Sequence, residues 1–142
     1  MSQEAMLEQE KLRAFSFACG LGELLPAFRA VVEEVRAYWA PDDPPSTVLL
    51  GQLGTQFALG FAAFDAGERA SVLDRIEDGV RVPGDDYLST VVATGFLEAF
   101  IHRAERDGTW PELRDALRPL SQEFADAYVN DPIFHVRGPM PV

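Results

Sequence analysis

Apolar residues recur at steps of three and four from near the start of this chain almost to its end. Nowhere does strict alternation run far enough between turn signals to demand a strand. A period near 3.6 predicts an all-α fold, a single-domain bundle of about six or seven helices with a proline-rich loop and an extended C-terminal tail. The 142 residues suit one domain, with a helical body over 1–130 and a tail over 131–142.

Punctuation divides the periodic run. A first helix is expected over Gln3–Cys19 with Leu7, Leu12, Phe15 and Ala18 to one side, closed by Gly20-Leu21-Gly22. In the second, Leu24, Phe28, Val31, Val35 and Tyr38 form an inward stripe, Arg29, Glu33 and Arg36 face away, and Pro26 sits near the start. Pro41, Pro44 and Pro45, with Asp42 and Asp43 between them, cannot continue it. Ser46 is the expected N-cap of a central third helix bearing Leu49, Leu53, Phe57, Phe61 and Phe64. Its Gly51, Gly54 and Gly60 each cost about 1 kcal/mol of helix propensity relative to alanine, which calls for close approach of a neighbouring helix as compensation.

Further along, Val72, Leu73, Ile76 and Val80 mark a fourth helix ending near Gly79, and its other side is acidic. Pro83-Gly84 turns the chain. Asp85 or Asp86 caps a fifth helix carrying Leu88, Val91, Val92, Phe96, Phe100 and Ile101 inward, antiparallel to the fourth. Thr109-Trp110-Pro111-Glu112 reads as a capping box opening a sixth. Leu113, Leu117, Leu120, Phe124 and Tyr128 keep phase through Arg118-Pro119, so a kink or a broken pair along one line is expected. Ile133 and Phe134 are placed to pin the tail, whose Pro132, Gly138, Pro139 and Pro141 keep it extended.

Charge narrows the function. Twelve basic residues against 23 acidic give a net charge of −11, which disfavours binding to phosphate backbones or anionic membranes and favours a basic protein partner. A single cysteine, Cys19, allows no intramolecular disulfide, and the polar start with Glu4, Glu8 and Glu10 lacks a signal-peptide pattern. The most apolar stretch, Val48–Phe64, is interrupted by polar residues and glycines and falls short of the roughly 20 apolar residues that cross a bilayer. A cytoplasmic protein is expected.

Catalytic constellations are thin, and no catalytic residue, cofactor or metal is expected. Glu98, His102 and Glu105 lie on one helical stripe and have the chemistry of metal ligands, yet bundle metal sites draw Glu-x-x-His pairs from two helices. Cys19 has no neighbouring base, no serine sits in a Gly-x-Ser-x-Gly elbow, and the glycines lack a phosphate-loop lysine. Trp39 and Trp110 are expected to close the ends of the core. The segment from Asp65 to Asp86 holds seven acids against three arginines; a solvated helix face is one reading and a docking surface the other.

Asp74-Arg75-Ile76-Glu77-Asp78-Gly79, followed by Asp85 through Ala99 with its aliphatic run and Phe-Leu-Glu triplet, resembles a loose group of small, acidic, helical bacterial proteins. That group includes immunity proteins of polymorphic toxin systems. The resemblance covers about thirty residues and implies a protein that acts by binding. In that reading Asp74, Glu77, Asp78, Asp85 and Asp86 meet the basic residues of a toxin domain while Tyr87 anchors the contact. The alternatives are a metal-dependent enzyme using Glu98, His102 and Glu105, and a helical scaffold or homo-oligomer.

Overall fold

The computed structural model describes residues 2–81 and 86–131. The Pro83-Gly84 turn, Asp85 and the tail from 132 to 142 lie outside the described residues. All secondary structure among the described residues is helical: α1 (Gln3–Gly22), α2 (Pro26–Trp39), α3 (Ser46–Gly60), α4 (Ala66–Val80), α5 (Tyr87–Val91), a π-helical turn (Val92–Leu97), α6 (Glu98–Asp107), α7 (Trp110–Ala116) and α8 (Pro119–Val129). Right-handed dihedrals persist through both ends of the π turn, so α5, the π turn and α6 make one continuous rod. No helix is long and apolar enough to cross a membrane among the described residues.

The core sits between α3 and that rod. Leu49, Leu50, Leu53 and Phe57 of α3 are fully buried, and the Phe57 ring lies 6.0 Å from Phe96 and 5.6 Å from Phe100. Such ring pairs add roughly 0.5–1.5 kcal/mol beyond the area they bury. The backbones approach so closely that a Cβ on Gly54 would overlap the Phe96 carbonyl oxygen, while one on Gly95 would come within 3.0 Å of Leu50. Glycine costs α3 helix propensity and returns it as intimate packing, as the spacing requires.

Several local expectations change. α1 does not stop at Gly20-Leu21-Gly22 but runs through it to Gly22. A Cβ on Gly22 would overlap Val32 and one on Gly20 would meet Arg75 at 3.0 Å, so these glycines admit neighbours instead of turning the chain. α3 is capped at Pro45, and Ser46 is already its first residue. α7 starts where expected, but Thr109 makes no side-chain cap. Gly108 at φ 74° sends the Thr109 amide back to the Ala104 carbonyl, and the Thr109 hydroxyl follows it, away from the helix it precedes. The capping box that does form is Asp65 with Glu68, where the amide of each is accepted by the other's carboxylate at 2.9 and 2.8 Å.

Pro119 breaks the last helical run, as expected of a residue that biases its predecessor to extended geometry. The two pieces do not lie along one line. Arg114 and Asp126 would stand about 18 Å apart on a straight helix, yet they form a paired contact at 3.0 and 2.7 Å, so α8 folds back beside α7. The Arg114 guanidinium holds the Asp126 carboxyl below its ordinary range and is itself held more firmly protonated.

Candidate partner-binding surface

The acidic cluster that sequence spacing puts on one patch is largely committed inside the molecule. Glu77 is 6% exposed. It stands four residues after Leu73, on the apolar flank of α4, where its carboxylate accepts the amides of Leu120 and Ser121 at 2.8 and 2.9 Å and the Ser121 hydroxyl at 2.9 Å. These are free donors of the first turn of α8, so Glu77 serves as that helix's cap from another element. Charge-assisted bonds of this kind contribute roughly 1.5–3 kcal/mol each, too much for a partner to displace. As an exposed docking carboxylate, Glu77 is corrected to an internal one.

The remaining members have partners of differing strength. Asp74 pairs with Arg118 at 2.8 Å and Asp78 with Arg81 at 3.3 Å, and both carboxylates stay well exposed. Exposed pairs are worth about 0–1 kcal/mol, so a partner's arginine can exchange into either. Asp86 caps α5 by accepting the Leu88 amide at 2.8 Å and is tied to Arg13 of α1 at 3.2 Å. Tyr87 lines a cleft with Leu12 and Phe15 of α1 and Trp39 at the end of α2. Asp74 and Glu77 therefore hold α8, whereas Asp86 and Tyr87 face α1, and the set does not form a single continuous patch.

A different surface stands open. In α2 only Phe28 is buried. The rest of the stripe expected to face inward is covered only in part: Val31 and Val35 are half-buried against the core, Leu24 is exposed, and Tyr38 is 84% exposed. Phe28, early in α2, stacks edge-on against Phe57, late in α3, at 6.0 Å, so the two helices run antiparallel. Between them Val31, Val35 and Tyr38 on one wall oppose Val48, Gln52, Thr55, Gln56 and Leu59 on the other, forming a shallow trough of about 520 Å³. Leu59 is 50% exposed and Trp39 36%. Trp39 borders both the trough and the Tyr87 cleft, so the two join into one surface around the proline loop.

The rim of that surface is acidic. Glu34 borders the trough, and Glu8, Asp42 and Asp43 border the cleft, with Lys11 the single cation among them and already beside Glu8 at 3.6 Å. No basic side chain among the described residues pairs with Glu34, Asp42 or Asp43. The arginines of α2 are occupied elsewhere, Arg29 with Glu23 at 3.4 Å and Arg36 over the Phe15 ring at 5.5 Å. Sequence reasoning missed this face because it counted the whole α2 stripe as core. The available signal was two aromatics, Tyr38 and Trp39, immediately before two unpaired aspartates in a proline loop.

Other candidates resolve differently. His102 shares a 2.8 Å hydrogen bond with the Tyr128 hydroxyl across α6 and α8, and the described residues hold no group of three or more His, Cys, Asp or Glu placed to share a metal. Burial pushes the Cys19 thiol up, with Arg36 opposing, so it is protonated near neutrality. Trp110 does close the core, edge-on to Phe100 at 6.4 Å; Trp39 does not. No protein-family model matches the chain, and neither do the curated proteins nor the solved structures.

Proposed function

We propose that this chain is a cytoplasmic binding protein that occludes a basic protein partner, most specifically an immunity protein that neutralises a cognate toxin. The observation that carries the proposal is the open stripe of α2, which places Tyr38 and Trp39 on the surface beside carboxylates that no basic side chain of the described residues neutralises. Aromatic side chains at the centre and unpaired charge at the rim are the usual composition of a protein-binding site. The net charge of −11 extends that attraction over the whole molecule and repels phosphate-bearing partners. The likeness of residues 74–99 to immunity proteins points the same way, although the docking face moves from the α4 acids to the α1–α2–α3 side.

Occlusion needs no reactive group. A toxin that acts on nucleic acid or nucleotides carries lysines and arginines at its own site, and carboxylates held in front of them exclude the substrate. The test is purification of the chain with the product of the adjacent gene. A one-to-one complex is expected, with an association rate that falls steeply as ionic strength rises from 20 to about 300 mM, where screening shortens to a few ångströms. Absence of a complex, or an association rate indifferent to salt, overturns the reading.

A further inference from the structure

The trough between α2 and α3 specifies the shape of what it receives. From Val48 to Leu59 its α3 wall rises about 16 Å at about 1.5 Å per residue, the length of three helical turns. Val31, Val35 and Tyr38 repeat along the opposite wall at the same helical steps, so the α2 side is an apolar stripe, while the α3 side carries Gln52, Thr55 and Gln56 between the apolar ends Val48 and Leu59. Glu34 lies at mid-length and Asp42 and Asp43 beyond Trp39 at one end. We infer that this trough receives a basic amphipathic helix of about three turns from the partner, its aliphatic stripe against Tyr38, Trp39 and Leu59 and its lysines or arginines over Glu34, Asp42 and Asp43. The inference rests on the binding-protein reading and gives it a partner class.

Three observations select this occupant. The described residues contain no strand, hence no sheet edge to which an extended segment could add. Two rows of helical side chains leave a groove between them that takes the ridge of a third helix. The third is charge: a second copy of this chain docked by the same face would bring a second set of Glu34, Asp42 and Asp43 to the contact with only Lys11, already beside Glu8, to meet them, whereas a basic helix satisfies them.

The experiment uses the full chain labelled with ¹⁵N and three synthetic 14-residue peptides. One has leucines on a single helical face and lysines elsewhere, one has the same composition with the leucines scattered, and one keeps the leucine face but replaces every lysine by glutamate. The first is expected to bind one-to-one, at least tenfold tighter than either control, and to move the amide signals of Tyr38, Trp39, Val48 and Leu59. Leu59→Gln is expected to weaken it at least tenfold without changing the melting curve, and Glu34→Lys with Asp42→Lys and Asp43→Lys to reverse the preference toward the acidic peptide. Equal binding of the scattered or acidic peptide, no binding, or signals moving mainly around Asp74 and Asp78 overturns the inference, as does a dimer in sedimentation that Leu59→Gln dissolves. The two proposals fail separately. A neighbouring gene product that binds wild type and Leu59→Gln alike removes the trough and leaves the binding protein, while a peptide seated in the trough with no complex from the neighbour removes only the toxin.

Discussion

The α4–α8 seam and the α2–α3 trough carry the same kind of side chain to opposite ends. At the seam, Glu77 is buried and three donors of α8 converge on its carboxylate. At the trough, Glu34, Asp42 and Asp43 border exposed apolar side chains and form no ion pair with any described residue. An acid on the apolar flank of a helix becomes part of the fold when another helix starts against it. An acid beside an uncovered stripe remains available. Charge count alone does not separate the two, and what stands opposite does.

Removing the seam's carboxylate has the largest expected effect. Glu77→Ala strands the Ser121 amide and hydroxyl and the Leu120 amide, at about 3 kcal/mol or more given the cost of unsatisfied buried donors. Urea denaturation followed by circular dichroism checks it; a midpoint unchanged within error would mean that Glu77 is as dispensable as a surface acid, erasing the contrast. Next in size is Gly54→Ala. Its methyl group meets the Phe96 carbonyl oxygen, and backbone cannot yield as a flexible side chain does, so a loss of roughly 1–3 kcal/mol is expected in the same measurement. A neutral or stabilised Gly54→Ala would mean that α3 and the π turn part more readily than their packing indicates.

How much of this was legible follows from what periodicity encodes. The helical class, α3 as the centre, the glycine contact at Gly54 and the break at Pro119 were all readable, because each depends on local spacing or on the backbone limits of one residue type. Whether a stripe is covered depends on the number and angle of neighbouring helices, and α2 spells its stripe as plainly as α3 does. Val31, Val35 and Tyr38 therefore read alike as core, whereas the two valines pack only partly against it and Tyr38 stands exposed on the wall of the trough. Glu77 failed in the other direction: its neighbours Asp74 and Asp78 point to solvent, and nothing local announces that the amide end of α8 arrives more than forty residues later. The break at Arg118-Pro119 was legible, but its direction, a fold-back that sets that arrival and not a pair in line, was not.

A smaller effect sharpens the open side of the comparison. Leu59→Gln exchanges an exposed apolar side chain for a polar one of similar length, and stability should stay within about 0.5 kcal/mol of wild type in urea. A loss beyond about 1 kcal/mol would show that the trough is closed in solution and belongs with the seam.

The smallest expected effect lies at the α7–α8 fold-back, between those extremes. Hydrogen bonding to Arg114 is the leading cause of the lowered Asp126 pKa, and both side chains are more than a third exposed, so solvent screens most of the interaction. A carboxyl with a folded pKa below its unfolded value of roughly 3.9 contributes stability that is fully present above that value and is lost as pH falls through the folded one. Carbon-detected titration of the Asp126 carboxyl should therefore place its midpoint below the ordinary aspartate range, and Arg114→Gln should return it upward. The stability difference between wild type and Arg114→Gln should be slight, fully present above about pH 4 and shrinking as pH falls through the folded Asp126 value. A difference that persisted unchanged into strong acid would mean that the Arg114 side chain holds α8 through the packing of its aliphatic stem, and not through its charge.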